Sequence, residues 1–195
     1  IDAVFKLVSA GKIPPTAEDV AAQAGVSVSS IFRNFDGLDD MQRQAFEVFG
    51  DRYSYLFDSV VEATDSRAER VSKHVRARLE LLTVAGPMMK VARQRALDYQ
   101  PLAEAVGQNR MRLADQTRAH FAPEIARLSP AEAANLLAVV DSLTSPEGRD
   151  VMQAAHGRSD RQISRSWVRS ITTILDGWPG LELDSSISST QAPNI

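Results

Sequence analysis

The chain has 195 residues, of which 44% are hydrophobic and 24% charged, and a net charge of −3. That is the make-up of a folded globular chain of one or two domains, and it excludes a disordered or low-complexity polypeptide. There is no cysteine, which excludes disulfide scaffolds, thiol nucleophiles and cysteine-ligated metals and makes a reducing, cytoplasmic compartment the expectation.

Helix-start signals recur along the chain, and no stretch keeps a strand alternation between hairpin turns, so the predicted fold class is all-α. Helices are expected over residues 1–10, 17–24, 28–34, 38–63, 66–84, 87–97, 101–121, 130–143, 146–155 and 160–176. Thr16 with Asp19, Ser66 with Glu69, Ser129 with Glu132 and Ser159 with Gln162 have the spacing at which a hydroxyl and an acid or amide satisfy helix-end N–H groups reciprocally. Pro87, Pro101, Pro130 and Pro146 fall where a first helical turn loses nothing by lacking an N–H. The longest apolar runs, such as residues 136–140, are far short of the ~20 residues that cross a bilayer, so no membrane partner is expected. Residues 184–195 carry too little apolar surface to repay ordering and are predicted to form a flexible tail.

At the front, three short helices precede a long one, and Gly25-Val26-Ser27 joins the second to the third. Gly25 can adopt the left-handed conformation that ends a helix, Val26 can plug the angle between the two helices, and Ser27 can cap the next. Val8, Val20, Ala21, Val26, Ile31 and Phe35 are the predicted shared core. Val28, Ser29, Ser30, Arg33 and Asn34 are then left on the outer face of the third helix, which a major groove about 12 Å wide admits.

The run that carries this layout is Thr16, Val20-Ala21, Ala24-Gly25-Val26-Ser27, Ser29, Ile31-Phe32 and Asn34-Phe35, followed by Asp39-Asp40-Met41. It resembles the signature of TetR-family (tetracycline-repressor-like) transcriptional regulators. The resemblance implies a helix-turn-helix DNA-binding domain at residues 1–49 and a larger helical ligand-binding and dimerisation domain at 50–183. It also implies that Thr16 meets a phosphate, with Ser27 and Val28 at the start of the reading helix, while Ser29, Ser30, Arg33 and Asn34 face base edges or backbone. Phe32 stands where the family usually has a phosphate-binding tyrosine, and Leu38 where it has a lysine. Residues 1–50 hold four basic against seven acidic side chains. DNA affinity rests largely on neutralised phosphates, so weak binding is expected unless a basic arm, absent before Ile1, supplies the missing contacts.

Two further surfaces are expected behind the reading head. Leu136, Leu137 and Val140, with Ile163, Trp167, Ser170, Ile171 and Ile174, recur at three- and four-residue steps. They fit either packing within one subunit or, as the resemblance implies, a four-helix interface of a homodimer. On the helix over 101–121, Asn109, Thr117 and His120 interrupt an apolar stripe that includes Leu113. Such groups either bond to neighbouring helices or line a cavity that a small molecule completes, with Tyr53, Phe57, Met88 and Met89 as apolar walls.

The implied function is a ligand-responsive DNA-binding regulator, a repressor released from a pseudo-palindromic double-stranded DNA operator by a small-molecule inducer whose identity the sequence does not give. The alternative is a TetR-like helical dimer that binds a small molecule or protein with weak or lost DNA binding. An enzyme is not expected. His74, His120 and His156 are isolated, no zinc, nucleophile-elbow or phosphate-loop motif is present, and neither metal nor cofactor is called for.

Overall fold

The computed structural model describes residues 1–58 and 61–181. Among these every regular element is helical: α1 (Asp2–Ser9), α2 (Ala17–Ala24), α3 (Val28–Asn34), α4 (Leu38–Arg52), α5 (Arg67–Val84), α6 (Gly86–Arg95), α7 (Gln100–His120), α8 (Ala122–Ile125), α9 (Pro130–Leu143), α10 (Pro146–Ala154) and α11 (Asp160–Gly177), with a 3-10 turn at Ser54–Phe57 after α4. The protein is all-α, and none of these helices is long and apolar enough to cross a membrane. The predicted tail at 184–195 lies outside the described residues.

Local chemistry sets most boundaries. Reciprocal capping boxes open α2, α5 and α11, from Thr16 and Asp19, Ser66 and Glu69, and Ser159 and Gln162. Ser129 and Ser145 cap α9 and α10 ahead of their first-turn prolines. Gly25, at φ 71°, ends α2 in the left-handed region, where a side chain would be strained. The Val26 N–H then turns back to the Ala21 carbonyl at 3.0 Å.

Two expectations fail here. The Val26 side chain does not plug the angle between α2 and α3 but is 47% exposed, and Ile31 takes the inner position. α4 stops at Arg52 instead of running to residue 63. Past Tyr53, whose N–H still reaches the Phe49 carbonyl, the helical ladder ends, and the Ser54 hydroxyl turns back to the Asp51 carbonyl at 3.1 Å. The chain instead tightens into the 3-10 turn and buries Leu56 against Leu81, Ala85 and Leu113.

Apolar packing falls into linked clusters. Under α1–α3, Val4, Val8, Val20, Ala21, Ile31, Met41 and Ala45 close together with Met88 and Val91 of α6. A second cluster is built from Val71, Val75 and Leu82 of α5, Leu136 and Val140 of α9, and Ile163, Trp167, Ile171 and Leu175 of α11.

This second cluster takes up most of the residues expected at a dimer face. Leu136, Leu137, Val140, Ile163, Trp167 and Ile171 are buried within one chain, Trp167 with no exposed surface, as the alternative of packing within one subunit has it. An amphipathic stripe records that a helix is covered but not whose helix covers it. The remaining two, Ser170 and Ile174, are half-buried, and Ile174 packs on the rim of the same core.

Candidate functional site

Two features stand apart from ordinary packing: a large cavity behind the front helices, and the outer face of α3. The cavity is partly open, of about 1070 Å³, and is walled mainly by apolar side chains of α4, α6, α7, α9 and α10. That volume sits at the upper end of small-molecule sites, which run to about 1,000 Å³. Phe46 and Phe49 reach it from α4, Met88 and Met89 from α6, Leu102 from α7, and Val151 from α10. The Phe49 and Tyr53 rings pack at a tilt with their centroids 4.5 Å apart, which carries the wall past the end of α4. Arg112 lies over the Phe57 ring, 4.2 Å from its centroid, and donates to the Ser54 carbonyl at 3.2 Å, fixing the 3-10 turn against α7.

Of the residues expected to meet a ligand, Tyr53, Phe57, Met88, Met89, Asn109 and Leu113 line the cavity. Thr117 and His120 do not. Both are fully buried, and their polar groups are taken by neighbouring helices. The single Thr117 O–H lies between the Leu113 carbonyl and Asp141, and its oxygen accepts from Arg78. His120 meets His74 with the two Nδ1 atoms 3.0 Å apart, so one imidazole donates and the other accepts. Burial, then the charge of Arg78, then His120 itself, hold His74 far below the usual imidazole range.

Sequence reasoning missed the polar group of this cavity. Arg78 of α5, only 2% exposed, donates from Nη2 to the Leu113 carbonyl at 2.5 Å, to Thr117 Oγ1 at 2.5 Å and to Asp141 Oδ1 at 2.9 Å. Both charged partners line the cavity. Burial, partly offset by Asp141, lowers Arg78 to about 10. Burial raises the Asp141 carboxyl despite the hydrogen bond from Thr117 and the charges of Arg78 and Arg118. The signal was present in the sequence: Arg78 falls on the Val71, Val75, Leu82 stripe of α5, where a cation must find a partner.

On α3 only Ile31 is buried; Ser29, Phe32, Arg33 and Asn34 are exposed, and Val28 and Ser30 half-buried. The polar groups of this face bond one another. The Ser27 and Ser30 hydroxyls are 2.9 Å apart, Arg33 Nη2 donates to Ser30 Oγ at 2.9 Å, and Asn34 Nδ2 donates to the Ser30 carbonyl at 2.7 Å. These are exposed bonds of small net worth, readily exchanged for other partners. Thr16 is engaged more firmly, since its hydroxyl donates to Asp19 Oδ2 at 3.0 Å and accepts from Asp19 N–H at 3.2 Å. The start of α2 therefore carries the Asp19 carboxylate, which Lys12 balances at 3.2 Å.

The two features are joined through α4 and α6. Three residues separate α3 from α4, and the second half of α4 walls the cavity. Met88 of α6 belongs both to the core under α1–α3 and to the cavity wall. Among the described residues no three histidine, aspartate or glutamate side chains gather to hold a metal ion. No protein-family model, characterised protein or solved structure matches the chain.

Proposed function

We propose that the chain is a TetR-like, ligand-responsive DNA-binding regulator, with α2 and α3 as its helix-turn-helix, α3 as the reading helix and the cavity as the inducer site. The observation that carries this reading is the double membership of Met88. A side chain shared by the core that supports α3 and by the wall of an apolar cavity lets occupancy of one bias the other.

α3 suits the role chemically. Arg33 can pair with guanine O6 and N7 and Asn34 with adenine, while the serines serve several bases. Pairing of two copies would set two reading helices about 34 Å apart on successive major grooves of a pseudo-palindromic operator. Such pairing has to use outward-facing surfaces, because the stripes on α9 and α11 are spent within the subunit. A ligand that favours a pair with wrongly spaced heads releases DNA, by no more than its differential affinity for the two arrangements.

A second reading, a ligand-binding relative that grips DNA weakly, is favoured by the acid surplus of residues 1–50 and by Phe32, a 52% exposed apolar ring on the reading face. Selection of bound duplexes from a random pool, followed by fluorescence anisotropy on the selected site, decides between them. The regulator reading expects a recovered consensus and a loss of about 1–3 kcal/mol on Arg33→Ala. Recovery of no consensus, or an Arg33→Ala variant that binds as the parent does, overturns it.

A further inference from the structure

Resting on the reading of the cavity as a ligand site, we infer that its ligand is an uncharged amphiphile: an apolar body ending in a group, of the amide type, that both accepts and donates a hydrogen bond. Arg78 and Asp141 hold that group between them.

Four arginines and four carboxylate residues line the cavity, and each of those arginines already has an acidic partner. Arg78 pairs with Asp141 at 2.9 Å, Arg93 and Arg110 share Glu147 at 3.4 and 3.2 Å, and Arg112 faces Asp58 at 4.0 Å. An anionic ligand has to share a cation that already has a carboxylate beside it. At the buried end of the cavity a cationic ligand has to compete with Arg78 for Asp141, where burial already works against both charges. Bringing a net charge into such surroundings costs more than the partial contacts return.

Geometry then supplies the group that is wanted. Among the described residues every hydrogen bond of Arg78 leaves from Nη2, and both bonds to Asp141 end on Oδ1. Nη1 is therefore a donor and Oδ2 an acceptor that a guest can use without breaking the pair. Asp141 is 27% exposed, open enough to be reached, and Asn109, one turn before Leu113 on α7, lines the same cavity. A primary amide presents a carbonyl to Arg78 and an N–H to Asp141, giving each residue a further bond while leaving their mutual ion pair intact. The aromatic and methionine walls contributed by α4 and α6 accept the chain behind it.

The test is displacement of the uncharged dye Nile red from the purified chain at pH 7 by three compounds of one chain length: octanamide, octanoate and octylammonium. The expected result is displacement by octanamide at a concentration at least tenfold lower than by either ion. Asp141→Asn keeps an acceptor for Thr117 and Arg78 but leaves the arginine's charge uncancelled, so it is expected to move the preference at least tenfold towards octanoate. The ranking in the parent chain stands by itself should that variant fail to fold. Bound Nile red displaced equally well or better by an ion, or by none of the three, overturns the inference and leaves the cavity a ligand site of another class. A chain that binds no Nile red overturns the ligand-site reading as well.

Discussion

His74 of α5 and His120 of α7 face each other through their Nδ1 atoms at 3.0 Å, both without exposed surface, and His74 Nε2 lies 3.4 Å from the Thr144 hydroxyl of α9. One proton between the two Nδ1 atoms satisfies the pair; a second would place a cation beside the buried Arg78. This fixes a sign for the pH dependence of stability. His74 titrates near 6.5 when unfolded and well below that in the fold. Above about pH 6.5 it is neutral in both states and contributes no slope. Below it, the unfolded chain gains a proton that the folded chain refuses, and stability falls by up to about 1.4 kcal/mol per pH unit until the folded imidazole titrates. Asp141, raised in the fold, acts oppositely, but only from its ordinary range upward. Urea unfolding between pH 7 and 5.5 is expected to show the histidine slope, and His74→Gln to flatten it; an unchanged slope in that variant refutes the assignment.

Glu124 of α8, 3% exposed, accepts from Arg70 and from Arg67, the latter at 3.2 Å, while Arg70 Nη1 donates to the Asp65 carbonyl at 2.6 Å. Removing the carboxylate with Glu124→Ala leaves Arg70 as an unbalanced buried cation, at an expected cost of about 3 kcal/mol or more. The Arg52–Asp2 pair, at 2.7 Å but largely exposed, gives the contrast. Arg52→Ala is expected to cost far less than Glu124→Ala, because water already screens the pair. Chemical denaturation of the two variants side by side checks the ordering, and equal losses would show that Glu124 is not the buried partner described.

Gly25 meets no atom within 4 Å of the position its Cβ would take, so space is not what reserves it; its φ of 71° is. Gly25→Ala is therefore expected to cost about 1–2 kcal/mol from the backbone alone. If the α2–α3 geometry supports DNA reading, affinity for a selected duplex should fall further than the loss of folded protein explains. A variant with parental stability would show that another residue of the turn relieves the strain.

How far the sequence could be read divides along the same physical line. Caps and prolines are local, so α2, α3 and α9 run as their punctuation indicates. The end of α4 was missed because it depends on a Ser54 hydroxyl turning back to one carbonyl and on Leu56 finding a place beside Leu81 and Leu113, more than twenty residues away. The stripes on α9 and α11 were legible as buried faces, but periodicity cannot say whether Trp167 packs on α5 of its own chain or on a second copy. The apolar walls at Tyr53, Met88 and Met89 could be guessed from residue type. Arg78 could be marked as misplaced on an apolar stripe, but its partner could not be named, because Asp141 lies 63 residues away and alone reads as an ordinary surface charge.

The coupling between cavity and reading head has its own test at Met88. An alanine there would open a cavity in a core that both regions share, costing about 2–5 kcal/mol and confounding the result. Met88→Leu conserves volume, and its expected stability cost is below about 1.5 kcal/mol. Its branched side chain has fewer ways to follow a change in the cavity than the unbranched thioether. If Met88 transmits occupancy, ligand and DNA should each bind the variant nearly as they bind the parent. The ligand-induced change in DNA affinity, typically about 5–150-fold in coupled systems, should shrink towards one. Anisotropy titrations of a selected duplex with and without saturating ligand measure that ratio. A Met88→Leu chain that keeps the parental ratio would move the lever elsewhere along α4 or α6.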